Sequence, residues 1–134
     1  MAWEYDQQVV DEVNRKHLNS RFLAGVPLPI NLKATADINQ LAQLDALVIT
    51  MPSPFIVKTL ASFVQPIAST TPLINLSKGI SKEGKTVYQT LMELAPNNPV
   101  ALMSGPTIAN EVAQDKLTAI VAASTNDALL DQIE

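Results

Sequence analysis

Cysteine is absent from this sequence, and basic residues are few. The absence of cysteine excludes disulfide bonds, thiolate metal sites and cysteine nucleophiles. Nine basic residues stand against 13 acidic ones, for a net charge of −4, and no basic run alternates with aromatic residues. The composition therefore argues against a surface that binds nucleic acid or anionic membranes.

Long hydrophobic runs are also missing. The longest, ALVITMP and TAIVAAS, fall far short of the roughly 20 apolar residues that a membrane-spanning helix needs. No signal-peptide pattern opens the sequence. We therefore expect a cytoplasmic protein without a membrane span.

Glycine occurs only at positions 25, 79, 84 and 105, so the sequence contains no G-x-G-x-x-G turn. A dinucleotide-binding fold uses that turn to hold a pyrophosphate against a helix N-terminus. Either the chain is not a dinucleotide-binding domain, or the beginning of such a domain is missing.

What the sequence does contain is a repeated pattern of apolar strands and amphipathic helices. The first helix is predicted over residues 6–18 with Asp6 as its N-cap, and an irregular segment, a strand at residues 32–35 and a small helix over DINQLAQ follow. Apolar strands that alternate with amphipathic helices then predict an α/β fold with a mainly parallel, doubly wound sheet. The predicted strand–helix pairs are ALVITMP with PFIVKTLASFVQPIA, PLINLSKG with TVYQTLMELA, PVALMSG with TIANEVAQ, and TAIVAAS with NDALLDQIE.

Three predicted strands end in polar or glycine-bearing turns, at residues 51–53, 78–79 and 104–107. In a parallel sheet covered on both faces, the ligand lies beyond the carboxyl ends of the strands, so these turns predict the site. Lys78 has two interpretations. It is either a solvated lysine beside a turn glycine, or a cation that holds a phosphate or polarises a carbonyl oxygen.

The segment SGPTIANEV supplies the context for Lys78. Gly105 allows a close backbone approach, and Pro106 or Thr107 can open a helix whose N-terminal amides form an anion site. The alternative is that Thr107 merely caps its own helix. His17, the only histidine, is predicted to be structural, and no spacing of carboxylates suggests a metal site or a catalytic pair.

In their order, the motifs resemble the bacterial type of NAD(P)-dependent glycerol-3-phosphate dehydrogenase. The resemblance covers the chain from about residue 3 to residue 124. The matching segments are AWEYDQQVVDEVN for the family's second strand and helix, NSRFLAGVPLP for its N-x-R-[YF]-L-x-G-x-x-L-P loop, ALVITMPSPF for its V-P-S strand end, INLSKGI for its [ST]-K-G-I element, and LMSGPTIANEVAQDKLTAIVAAS for its S-G-P-[ST]-x-A-x-E-V-A segment.

The resemblance implies an oxidoreductase that interconverts dihydroxyacetone phosphate and sn-glycerol 3-phosphate with NAD or NADP, for glycerophospholipid synthesis. It implies that Lys78 contacts both substrate and cofactor. Gly105 and Thr107 are similar to substrate-binding positions, and Ala109 is similar to a cofactor-binding one.

The same resemblance implies that parts of the family's enzyme are missing. The family begins with a strand and G-x-G-x-W-G before the position where this sequence starts, and ends with a helical substrate domain that bears the catalytic acid/base lysine. We therefore expect residues 1–134 to be a partial, truncated NAD(P)-binding Rossmann domain with no catalytic residue of its own. We expect the isolated chain to be inactive and to form homo-oligomers through strand edges that the missing first strand leaves unpaired.

Cofactor choice depends on the end of the family's second strand. Tyr5 and Phe22 match positions near the adenosine end of the cofactor. Glu4 favours NAD, because an acidic residue there accepts the ribose hydroxyls and repels the additional phosphate of NADP. Asp6 can do the same or only cap the helix.

Two other readings of the whole chain stay open at this point. One is a non-catalytic α/β module that acts through its strand edges. The other is an NAD-dependent dehydrogenase for another substrate, against which the S-K-G-I and S-G-P-T elements together argue.

Overall fold

A computed structural model describes residues 1–64, 66–80 and 84–133. The chain divides into two compact units: unit 1 comprises residues 1–41 and 107–117, and unit 2 comprises residues 42–106 and the chain from residue 118 onward. No described helix is long and apolar enough to cross a membrane.

In chain order the elements are β1 (Ala2–Trp3), α1 (Gln7–Lys16), β2 (Ala34–Thr35), β3 (Leu47–Ile49), α2 (Ile56–Leu60), β4 (Leu73–Asn75), α3 (Val87–Leu94), β5 (Val100–Ser104), α4 (Ala109–Val112), β6 (Val121–Ser124) and α5 (Asp127–Ile133), with 3-10 helices at Ile38–Leu41 and Ser53–Phe55.

Unit 1 contains α1, the two parallel strands β1 and β2, the 3-10 helix Ile38–Leu41 and α4. The predicted N-cap is confirmed, since the Asp6 carboxylate accepts a hydrogen bond from the amide of Gln8. The helix buries one apolar face, made of Val9, Val10 and Val13. It ends two residues earlier than expected, because His17 takes a left-handed conformation with φ 53° and begins the connection to the next segment.

A side-chain amide ties α1 to β2. Asn14 donates from Nδ2 to the carbonyl of Ala34 at 2.9 Å, and the amide of Ala34 donates back to Asn14 Oδ1 at 2.9 Å. Because the amide group supplies both a donor and an acceptor, one side chain satisfies both backbone groups of a single residue. We call this arrangement an amide clamp.

Unit 2 is a four-stranded sheet in the order β3-β4-β5-β6. Its first three strands are parallel, as predicted, with Leu47 beside Leu73 and Leu73 beside Val100. The sheet is therefore mainly parallel, and its last strand is the exception, because β6 pairs with β5 in the antiparallel sense. The chain returns to the carboxyl end of β5, where the carbonyl of Ala119 lies against Gly105, so β6 begins beside the end of β5 and runs in the opposite direction.

The helix predicted over PFIVKTLASFVQPIA, the first that lies wholly in unit 2, is much shorter than its sequence pattern suggested. It covers Ile56–Leu60 instead of reaching residue 67. The amides of Ser62 and Phe63 bond to carbonyls three residues back, and the Ser62 hydroxyl bonds to the Thr59 carbonyl at 2.6 Å. These bonds to the third residue back replace the α-helical bonds to the fourth, so the α-helix ends here. Pro66, a few residues later, has no amide hydrogen with which to continue it. Gln65, part of the same prediction, lies outside the described residues.

The core of unit 2 lies between the sheet and its helices. The helix α3 packs on β5, and it begins with a reciprocal capping box in which Thr86 and Gln89 satisfy each other's backbone amides. Leu73 in β4 and Leu91 in α3 are fully buried. Truncation at such positions costs the most stability, because it loses both the transfer of apolar groups out of water and their close packing.

We expect Leu91→Ala to lower the free energy of unfolding by about 2–5 kcal/mol, because truncation removes buried methyl groups and leaves a cavity. Leu94→Ala in the same helix is the matched control, since Leu94 is 42% exposed. Urea unfolding followed by circular dichroism measures both. An equal loss of unfolding free energy in the two variants would contradict the assignment of Leu91, and not Leu94, to the buried face of α3.

Candidate functional site

The carboxyl ends of β3, β4 and β5 lie at one edge of unit 2, because the three strands are parallel. Lys78 follows β4, and Gly105 follows β5. The Lys78 ammonium donates a hydrogen bond to the carbonyl of Gly105 at 3.2 Å, and its side chain is exposed. The structure thus brings together two residues that sequence analysis selected separately. We call this edge of unit 2 the lysine rim.

The turn that leads into Lys78 is fixed by a buried side chain. Asn75 donates from Nδ2 to the carbonyl of Ser77 at 3.0 Å and accepts from the Ser77 amide at 3.1 Å. The Ser77 hydroxyl donates in turn to the carbonyl of Ile49 in β3, at 3.3 Å. Asn75 was not among the residues predicted for the site; the signal that could have identified it is a polar residue inside an otherwise apolar strand.

On the other side of Lys78, the backbone depends on a glycine. Gly79 has φ 109°, a conformation that residues with a side chain rarely adopt. A Cβ at this position would lie 3.1 Å from the hydroxyl oxygen of Ser53, which itself donates to the carbonyl of Ile80 at 3.4 Å. Ser53 belongs to the turn after β3, so two of the three predicted turns are in contact here.

Gly105 is required for a different reason. A Cβ there would lie 2.1 Å from the carbonyl oxygen of Ala119, far inside van der Waals contact. The close backbone approach that sequence analysis associated with this glycine is present, and the approaching group belongs to the chain itself. The loop after β5 therefore cannot accept a larger residue unless the backbone moves.

Thr107 and Ala109 belong to unit 1. The helix expected to begin at Pro106 or Thr107 begins instead at Ala109, with an extended Ile108 as its N-cap and no side-chain capping bond. The interpretation of Thr107 as a cap is therefore wrong. With only four residues, α4 also has too few aligned peptide dipoles to form the strong anion site expected from the sequence.

The residues expected at the adenosine end of the cofactor also lie in unit 1. Tyr5 is 70% exposed and Phe22 is 56% exposed, with the Arg21 guanidinium 5.0 Å from the centre of the Phe22 ring. The Glu4 carboxylate accepts from the amide of Asp6 at 3.0 Å, and Asp6 forms an ion pair with Arg21. Glu4 and Asp6 therefore form a connected acidic pair at the start of α1.

Glu12, a carboxylate within α1, is stabilised by a single serine, Ser20. The backbone amide and the hydroxyl of Ser20 both donate to Glu12, at 2.9 and 2.8 Å. These bonds hold the pKa of Glu12 below its ordinary value, the backbone bond contributing most. Within the described residues, no group of three or more acidic or histidine side chains is placed to hold a metal ion.

The three parallel strands and the loops at their carboxyl ends define a Rossmann-type α/β protein. Solved structures agree: glycerol-3-phosphate dehydrogenase from Coxiella burnetii superposes with a TM-score of 0.84 at 27% identity over 98% of this chain. The enzyme from Plasmodium falciparum also gives 0.84, at 30% identity over 92% of this chain. These matches confirm the predicted fold class.

The chain belongs to the family described as the N-terminus of NAD-dependent glycerol-3-phosphate dehydrogenase, whose model matches residues 1–130. Curated relatives named glycerol-3-phosphate dehydrogenase [NAD(P)+] include proteins from Sphingopyxis alaskensis, 37% identical, and Corynebacterium diphtheriae, 34% identical, each aligned over 98% of this chain. This chain spans 39% and 41% of their lengths. The resemblance read from the motifs is confirmed.

We expect Gly105→Ala to lower the free energy of unfolding by about 1–3 kcal/mol, because the added methyl group forces the loop away from Ala119. Ser104→Ala, one residue earlier and exposed, is the control and should change stability little. Urea midpoints measure both. A wild-type midpoint for Gly105→Ala would mean that the loop does not pass as closely to Ala119 as described.

Proposed function

We propose that this chain is part of the cofactor-binding domain of a glycerol-3-phosphate dehydrogenase, which interconverts dihydroxyacetone phosphate and sn-glycerol 3-phosphate with a nicotinamide cofactor. The observation that carries the proposal is the family match over residues 1–130, together with Lys78 at the carboxyl end of β4. Glycerophospholipid synthesis is the proposed use of the product. The cytoplasmic location expected from the sequence stays a prediction.

The residues of the lysine rim fit an anionic, phosphorylated ligand. Lys78 supplies a compact positive charge with three donors, and one of these reaches Gly105. Gly79 and Gly105 let the backbone on either side of this rim pack closely, against Ser53 and Ala119 respectively, and so fix the loops that carry Lys78 and its partner. When bound, the nicotinamide cofactor supplies the hydride. By the family resemblance, Lys78 would contact both the substrate and the cofactor, and its charge would stabilise a carbonyl oxygen that becomes negative.

The remaining site residues are proposed by the family resemblance. Thr107, like Lys78 and Gly105, would contact the substrate. Ala109 would contact the cofactor, as would the residues near its adenosine end, Tyr5, Phe22 and Glu4.

We propose NAD over NADP as the cofactor. Glu4 and Asp6 place two carboxylates at the start of α1, with Arg21 neutralising Asp6. Because Asp6 is paired with Arg21, the charge that would disfavour the additional phosphate of NADP is that of Glu4.

Catalysis is proposed for the whole enzyme and not for residues 1–134 alone. The chain spans 39% and 41% of the lengths of two curated relatives, and hydride transfer requires substrate and cofactor to be held at near-attack distance. We therefore propose that these residues form a partial cofactor domain. The family match disfavours a purely non-catalytic module and a dehydrogenase for another substrate.

We expect the purified chain to bind NADH in a fluorescence titration, and Lys78→Ala to weaken that binding about tenfold or more, as the loss of a charged hydrogen-bonding group does. Lys58→Ala is the control, since Lys58 is an exposed lysine of the same unit in α2. An affinity for NADH that is equal in wild type and Lys78→Ala would contradict the proposed role of Lys78.

Self-association is the second expected property. Within the described four-stranded sheet, β3 pairs only with β4, and Val48 in its centre is 53% exposed. Such an edge offers backbone groups to another strand, and we propose a second copy of this chain as its partner. Size-exclusion chromatography with light scattering should give a mass of at least a dimer. A monomer across the accessible concentration range would contradict the proposal.

A further inference from the structure

The buried amide of Asn75 is the most unusual polar group in unit 2. Asn75 is 4% exposed and lies in β4, paired with Ile49 on one side and Leu102 on the other. Leu73, two residues earlier in the same strand, is completely buried. An amide among such neighbours is costly unless its hydrogen bonds are made, so packing alone does not account for it.

Both hydrogen-bonding functions of Asn75 are used on one residue. Its Nδ2 donates to the carbonyl of Ser77, and its Oδ1 accepts from the Ser77 amide, at 3.0 and 3.1 Å. The preceding amide, that of Leu76, still bonds to Ile49 of β3 at 2.8 Å. The regular pairing of β4 therefore continues to Leu76, and at Ser77 the side chain of Asn75 takes the place of a neighbouring strand.

The next residue along the chain is Lys78. Its ammonium reaches the Gly105 carbonyl at 3.2 Å, across the end of β5. The direction in which the chain leaves β4 thus decides where this cation lies. Asn75 fixes that direction through the backbone of Ser77, and the Ser77 hydroxyl adds a second tie to Ile49.

We propose that Asn75 is a positioning residue for Lys78: its amide clamp on Ser77 sets the turn that holds the lysine ammonium at the carboxyl end of β5. The proposal rests on the proposed function, since it assigns Asn75 to the same site. In this role Asn75 would act through Ser77 and Lys78, since its hydrogen bonds go to the Ser77 backbone.

The chain supplies its own control for a purely structural role. Asn14 makes the same clamp on Ala34, with both bonds at 2.9 Å, but in unit 1 and with no lysine of the rim attached to it. Removal of either clamp leaves the backbone groups of one residue without their partner. Only removal of the Asn75 clamp should alter Lys78.

The experiment compares Asn75→Leu with Asn14→Leu, because leucine resembles asparagine in shape and cannot form its hydrogen bonds. The measured quantity is the rate at which an amine-specific acylating reagent modifies Lys78. Mass spectrometry gives the ratio of Lys78 to Lys58 modification. The amine must leave its hydrogen bond before it can attack the reagent, so loss of the clamp should raise this ratio about fivefold, in line with the loss of one hydrogen bond. Asn14→Leu should leave the ratio at the wild-type value.

A ratio unchanged in Asn75→Leu, or raised equally in Asn14→Leu, would overturn the proposal. Should Asn75→Leu fail to fold, Asn75→Ala decides the matter, because it removes both hydrogen-bonding groups from the Ser77 backbone and adds neither bulk nor charge. Its ratio should then exceed that of wild type, and an unchanged ratio would again overturn the proposal.

Titration with NADH separates this inference from the proposed function. Asn75→Leu should weaken NADH binding, whereas the same change in a Lys78→Ala background should have no further effect, because Asn75 acts through Lys78. Equal losses in both backgrounds would contradict the positioning role. If the wild-type chain binds no NADH, the result counts against cofactor binding by this chain, and the acylation ratio still decides whether Asn75 positions Lys78.

Discussion

The position of β4 between two parallel neighbours is the constraint on which the lysine rim depends. Backbone bonds from Leu47 to Pro72 and from Leu73 to Pro99, at 2.9 and 2.8 Å, fix the register of the three strands. Because parallel strands have their carboxyl ends at the same edge of the sheet, the loops that follow them lie close together. A slip of one residue would turn the buried faces of the strands outward, so the core and the rim are specified by the same pairing.

Local patterns predicted much of this arrangement. Periodic valines and a capping aspartate gave α1, and short apolar runs gave β3, β4 and β5. Apolar periodicity did not predict the end of α2 or the direction of β6. The end of α2 follows from the bonds made by Ser62 and Phe63 and from Pro66, which the spacing of apolar residues does not report. The reversal at β6 follows from the contact of Gly105 with Ala119, fourteen positions away, which no local pattern reports.

The site was predictable to a similar degree. Lys78 and Gly105 could be selected because a cation and a glycine at strand ends are informative residue types. Their hydrogen bond to each other could not, since it depends on the spacing between β4 and β5. Asn75 was overlooked because a single polar residue does not interrupt an apolar strand pattern. Its partner is the backbone of Ser77, and every residue except proline has the same backbone groups, so the sequence does not show which of them a side chain will contact.

A buried asparagine is a poor way to gain stability, and this bears on why one occupies β4. An intramolecular hydrogen bond contributes about 0.5–1.5 kcal/mol net, whereas an apolar residue of the same volume gains comparable energy from burial without a desolvation cost. What the amide offers instead is direction, because its two bonds to Ser77 admit one geometry. An apolar side chain would fill the same volume and leave the turn undetermined. The use of an amide immediately before the rim's cation is therefore better explained by the placement of Lys78 than by the stability of the sheet.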